Sequence, residues 1–114
     1  MSSISTHVLD TVTGKPASGV PVRLEKWLPA SDPSEEWKSV AQSATDTDGR
    51  CRDLISDAAE GLYRLRFNVH DYFTRRGRNS IYPEIVIPFQ CNGEAHYHLP
   101  LLLSDNSYTT YRGS

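Results

Sequence analysis

After Gly61 the run Leu62-Tyr63-Arg64-Leu65-Arg66-Phe67-Asn68-Val69 alternates apolar and polar side chains. In a strand, successive side chains leave opposite faces, so Tyr63, Leu65, Phe67 and Val69 share one face and Arg64, Arg66 and Asn68 the other. A helix would scatter that apolar set around its circumference, so the run fixes a half-buried strand against a core. Weaker forms of the same signal predict strands at Ser5–Val12, Val20–Leu28, Trp37–Ala44, Arg50–Ile55, Glu84–Gln90, Ala95–Leu103 and Ser107–Tyr111.

Turn chemistry separates these strands. Thr13-Gly14-Lys15-Pro16 and Ser18-Gly19 break the chain after the first, and Pro29-Ala30-Ser31-Asp32-Pro33-Ser34 is a polar loop. Asp46-Thr47-Asp48-Gly49 is a predicted hairpin turn, and so is Asn92-Gly93, which would join the Glu84 and Ala95 strands. One helix is predicted at His70–Arg76, with Asp71 near its start and Gly77 just past its end. About eight short strands with one short helix point to an all-β antiparallel sandwich. The 114 residues hold one such domain, residues 1–114.

The formal net charge of -2 leaves no electrostatic footprint for nucleic acid or an anionic membrane. The basic cluster Arg75-Arg76-Gly77-Arg78 lacks interleaved aromatics and is expected to be a solvated element end. No apolar run approaches the roughly 20 residues of a membrane span. Met1-Ser2-Ser3-Ile4-Ser5-Thr6 has no charged segment followed by an apolar one, so the expected location is the cytosol. Two cysteines, Cys51 and Cys91, lie beside or within apolar runs and are expected to be buried free thiols.

Histidines carry the chemical signal. His96 and His98 stand two apart in a strand and share a face with Pro100, opposite Tyr97, Leu99, Leu101 and Leu103. His7 likewise lies on the face opposite Thr6 and Val8. Imidazoles titrate nearest neutrality and serve as general acids and bases. A His-x-His pair with a distant third His also permits a catalytic zinc, although no Cys-x-x-Cys or His-Glu-x-x-His accompanies it. The Asp46–Gly49 segment does not fit a calcium loop, because Ala44 and Ile55 fall where ligands belong. Arg50, directly after that turn, supplies a fixed positive fork for a planar anionic or carbonyl-rich ligand.

Four stretches together resemble the transthyretin family. They are Ser5-Thr6-His7-Val8-Leu9-Asp10, Thr47-Asp48-Gly49-Arg50, Tyr82-Pro83-Glu84, and His96-Tyr97-His98-Leu99-Pro100-Leu101-Leu102-Leu103-Ser104 running to Tyr111-Arg112-Gly113-Ser114. The terminal Tyr-Arg-Gly-Ser is similar to the signature of the family's enzyme branch, the 5-hydroxyisourate hydrolases, and the hormone-carrying branch lacks it and the histidines. The loop from Leu28 to Trp37 is longer than in many relatives. The resemblance implies a transthyretin-like sandwich assembled as a homotetramer, a dimer of dimers around a central channel. It also implies cofactor-free and metal-free hydrolysis of 5-hydroxyisourate in urate degradation. By the same resemblance His7, Arg50, His98 and Ser114 match catalytic positions, while His7, Arg50 and Tyr111 contact substrate. Arg112 and His96 belong to the motif as further candidate contacts. The alternative is a transthyretin-type small-molecule binding protein without catalysis.

Overall fold

The computed structural model describes residues 1–29 and 36–113. In chain order its elements are β1 (Ser2–Asp10), β2 (Lys15–Pro16), β3 (Pro21–Trp27), β4 (Trp37–Ala44), β5 (Arg50–Ala58) and β6 (Gly61–Asn68). These are followed by α1 (His70–Thr74), β7 (Glu84–Cys91), β8 (His96–Leu103) and β9 (Tyr108–Thr110). Of the polar loop expected at Pro29–Ser34, only Pro29 lies within the described residues.

Two sheets form. One runs β4-β3-β6-β7, all antiparallel. The other runs β2-β1-β8-β9, with β5 paired to the same edge of β1 as β2. The predicted alternation of β6 is realised, since Tyr63, Leu65 and Phe67 are buried, as is Val69 just beyond the strand. They meet Val22 and Leu24 of β3, Ile85 and Ile87 of β7, and Ile4, Val8, Leu99, Leu101 and Leu103 from the opposing sheet. Each such side chain contributes roughly 1.5–3 kcal/mol on burial, so the two inner faces hold the sandwich shut. Cys51 and Cys91 are buried free thiols in this core.

Several expectations are corrected. Asn92-Gly93 makes a turn, with Gly93 at φ 87°, but β7 pairs with β6 and β8 with β1 and β9. It crosses from one sheet to the other and joins no hairpin. The same holds for Asp46–Gly49, since β4 belongs to one sheet and β5 to the other. A turn motif specifies a local reversal and says nothing about whether the flanking strands bond to each other. β1 begins at Ser2 and ends at Asp10, and the expected break at Lys15-Pro16 contains the short β2. β1 and β8 pair in parallel, the one departure from an antiparallel pattern among the described strands.

The helix stops at Thr74, two residues short of Arg76, where Gly77 donates to the Thr74 carbonyl. Its Tyr72 and Phe73 enter the core. The Arg75–Arg78 cluster is not simply solvated. Arg78 pairs with Asp10 and Asp105, and Arg76 lies 3.7 Å from the centre of the Tyr72 ring. Asp10 is fully buried, and burial alone would raise its pKa. Hydrogen bonds from Arg78, Tyr72 and Thr13 outweigh that and hold it at about 2. Among the described residues no helix is long and apolar enough to cross a membrane.

Candidate active site

The parallel register of β1 and β8 sets Ser3 opposite His96, Ser5 opposite His98 and His7 opposite Pro100. On its other edge β1 sets His7 opposite Arg50 of β5. Side chains two apart share a face, so Ser3, Ser5, His7, Arg50, Arg52, His96 and His98 all project from the outer face of this sheet. Directly opposed residues have Cβ atoms about 5 Å apart, which makes His7 and Arg50 neighbours.

Arg50 is held there by its turn. The Asp46 carboxylate accepts from the backbone N–H groups of Asp48 and Arg50, each at 2.9 Å. Those bonds, that to Arg50 first, lower its pKa. Gly49 adopts φ 75°, and a Cβ there would lie 2.4 Å from the Val8 carbonyl oxygen. Only glycine lets the turn approach β1 so closely, and the Gly49 carbonyl then accepts from Val8 N–H at 2.7 Å.

The histidines are tied together by serine. Ser5 Oγ lies 2.8 Å from His98 Nδ1 and 3.2 Å from His96 Nε2, and Ser3 Oγ bonds His96 Nδ1. The two imidazoles are nearly parallel, with centroids 6.3 Å apart. His7 Nε2–H donates to the Asp48 carbonyl at 2.8 Å. Among the described residues no group of three or more His, Cys, Asp or Glu is arranged to hold a metal ion.

Burial first, and then the charges of His96, Arg50 and His7, push His98 below the ordinary histidine value of 6.5. Its ring is therefore neutral at pH 7. Arg50 makes no ion pair with any described residue, whereas Arg52 reaches Asp48 at 3.8 Å. A cleft of about 280 Å³ lies between these groups, lined by Ser5, Thr6, Arg50, Arg52, His96 and His98. Among the described residues no carboxylate lines it, so the cleft favours an anionic guest. A larger hollow of about 550 Å³ on the other sheet carries no histidine or cysteine. The guanidinium of Arg66 in that hollow is already occupied by Glu84 and Glu25.

The C-terminal segment returns to this face. β9 pairs with β8 from Leu103–Tyr108 to Leu101–Thr110, and the same register resumes at His98–Gly113. Pro100 falls between, at a position that should donate to Tyr111, and has no N–H to give. The ladder opens there and closes again when Gly113 N–H donates to the His98 carbonyl at 2.7 Å. Gly113 lies flat on His98, since a Cβ would sit 2.8 Å from its Cδ2.

Residues 4–113 match the family model for the HIUase/Transthyretin family. The chain belongs to that family. It is 42% identical to the mouse 5-hydroxyisourate hydrolase, with 99% of this chain and 96% of that protein covered. Among solved structures it is similar to the 5-hydroxyisourate hydrolase of Klebsiella pneumoniae, with a TM-score of 0.86 and 36% identity over all of both chains. It is equally similar in shape to the transthyretin of Sparus aurata, with a TM-score of 0.86 and 29% identity over 99% of this chain and 97% of that one. The HIUase/transthyretin fold is thus common to both kinds of relative, and any discrimination has to come from the side chains on the outer face.

Of the residues singled out in the sequence, His7, Arg50, His96 and His98 converge on that face. Tyr111 follows Thr110 at the face's edge and is 53% exposed. Arg112 turns to the other side, its guanidinium 4.7 Å from the centre of the Tyr97 ring and donating to the His96 carbonyl at 3.4 Å. Ser114 lies outside the described residues. Ser3 and Ser5 were missed because a serine in a strand carries no chemical signal by itself. Their i, i+2 spacing with His7 gains meaning only once β8 lies alongside.

Proposed function

We propose that this protein hydrolyses 5-hydroxyisourate to 2-oxo-4-hydroxy-4-carboxy-5-ureidoimidazoline, with His7 and His98 as the acid/base pair and Arg50 as the anion clamp. The observation that carries the proposal is the meeting of His96, His98 and the Arg50 guanidinium, which pairs with no described residue, around one open cleft, with His7 set opposite Arg50 at its side. Full-length relatives bearing this activity support it. One neutral imidazole accepts a proton from water as the oxygen attacks the ring amide carbonyl. The ring C–N bond then breaks as the partner imidazole gives a proton to the leaving nitrogen, and the proton taken from water passes through solvent to the partner, which restores both rings. Arg50 balances the anionic ring and the developing oxyanion, an effect worth about 3–4 kcal/mol per preorganised donor in comparable sites.

The cleft is a groove on an exposed sheet face and walls its guest on one side only. A second copy of the chain facing it would close the site, as in a homotetramer built as a dimer of dimers. The C-terminal segment would then sit beside the substrate, and Tyr111 would rim the entrance.

The test generates 5-hydroxyisourate from urate and urate oxidase, adds the protein with EDTA present, and follows the ultraviolet decay. Decay well above the spontaneous rate establishes a metal-independent hydrolase. No acceleration by a folded, untagged protein would refute it and favour a transthyretin-type binding role.

A further inference from the structure

The acid/base pair and clamp leave one feature of the outer face unused, the unbroken chain of hydrogen bonds that ends on His98. It runs from the Ala95 carbonyl to Ser3 Oγ, His96 Nδ1, His96 Nε2, Ser5 Oγ and His98 Nδ1. Each hydroxyl has one proton, and each neutral imidazole has one N–H and one bare nitrogen. The chain therefore has only two polarities, and one choice at the outer end fixes every proton along it.

The outer end decides. Ser3 Oγ contacts the Ala95 carbonyl at 3.4 Å, and a carbonyl can only accept. Ser3 spends its proton there and must accept from His96 Nδ1–H. His96 Nε2 is then bare and takes the Ser5 proton, and Ser5 Oγ in turn accepts from His98 Nδ1–H. The opposite polarity would forfeit the Ser3 Oγ bond to the Ala95 carbonyl and leave that carbonyl only the Ser3 N–H, which donates to it at 3.0 Å.

We propose that Ser3, His96 and Ser5 are positioning residues that lock the ring proton of His98 on Nδ1 and leave Nε2 as the base that accepts a proton from water. The role as base rests on the hydrolase function proposed above, whereas the tautomer itself does not. His98 Nε2 forms no hydrogen bond with any described residue. Burial first, and then the nearby Arg50 guanidinium, disfavour the imidazolium, so the ring keeps one bare nitrogen. A serine hydroxyl in place of a carboxylate adds no negative charge to offset them. His96 thereby carries polarity from Ser3 to Ser5.

The experiment labels the four histidines with 15N and records long-range proton–nitrogen correlations above the His98 titration, assigned with a His98→Gln variant. The wild type is expected to show Nδ1 protonated and Nε2 bare at His98. Ser5→Ala is expected to release the ring toward the Nε2–H form and lower kcat roughly 10- to 100-fold with little change in KM. That is less than the roughly 10⁴-fold lost when a triad histidine adopts the wrong tautomer. Ser5→Thr, which keeps the hydroxyl, should restore the Nδ1–H signature and most of the turnover. A wild-type His98 carrying its proton on Nε2 overturns the proposal, and so does an unchanged tautomer in Ser5→Ala. If the wild type is locked on Nδ1 and yet hydrolyses nothing, the lock stands and the hydrolase reading falls.

Discussion

Gly113→Ala separates the fit of the tail on His98 from the stability of the fold. The new Cβ would lie 2.8 Å from His98 Cδ2, 3.4 Å from the His98 carbonyl oxygen and 3.5 Å from Pro100 Cδ. Carbon atoms rest at about 3.5–4.0 Å, so either the imidazole or the tail has to move by roughly 1 Å. Ser5 holds the ring from the other side, which leaves it little room to yield. A displacement of that size in a positioned catalytic group costs up to about 100-fold in rate. Gly113 is outside the left-handed backbone region, so alanine adds no backbone strain and restricts the unfolded chain. The expected result is a roughly 10- to 100-fold fall in kcat on 5-hydroxyisourate, measured by initial rates of ultraviolet decay, with an unfolding midpoint that is unchanged or slightly raised. A variant that keeps wild-type turnover would refute the argument that the tail's seat on His98 sets the geometry of the site. Lost activity together with lost stability would refute the separation of the two.

Because His98 sits below 6.5 and must be neutral to accept a proton, kcat/KM should hold at neutral pH and fall on acidification only below 6.5; a limb at or above 6.5 would contradict its role. Arg50→Lys keeps the charge and loses the planar fork, and steady-state kinetics should show a kcat about 10²- to 10³-fold lower with an unaltered circular-dichroism spectrum. Asp10, held at about 2 against an ordinary 3.8, contributes roughly 2 kcal/mol of stability that is present above about pH 4 and lost as the pH falls toward 2. Urea unfolding of Asp10→Asn should show that contribution missing at about pH 6 and no further loss from it on acidification, and parallel pH profiles for the two proteins would count against the Arg78 pair. Dilution until sedimentation shows monomer should abolish turnover, and an active monomer would dismiss the two-walled site.

Local periodicity made the strands legible. Tyr63, Leu65 and Phe67 announced their face because a side-chain period of two needs no knowledge of neighbours, and His96 and His98 announced theirs for the same reason. What stayed hidden was partnership. Asn92-Gly93 declares a reversal, but whether β7 then bonds β8 depends on the whole sheet order. Arg78 had the look of a solvated cation because Asp10, its partner, is 68 residues away. The functional face was hidden in the same way: Ser3, Ser5 and His7 spell nothing until a parallel strand sets His96 and His98 opposite them. The family resemblance supplied the missing pairing in advance, by naming His7, Arg50 and His98 together.

That pairing has a kinetic meaning. The contacts between β1 and β8 join residues far apart in the chain, Ser5 and His98 being separated by 93 positions. Closing a loop of that length costs roughly 4 kcal/mol in chain entropy before any of its contacts form. The neighbouring pair β3–β4 can form from nearer contacts, so structure will return during refolding before the histidines find their serines. Turnover should consequently reappear last, lagging the recovery of strand signal. An intermediate with most of its secondary structure would carry no activity at all.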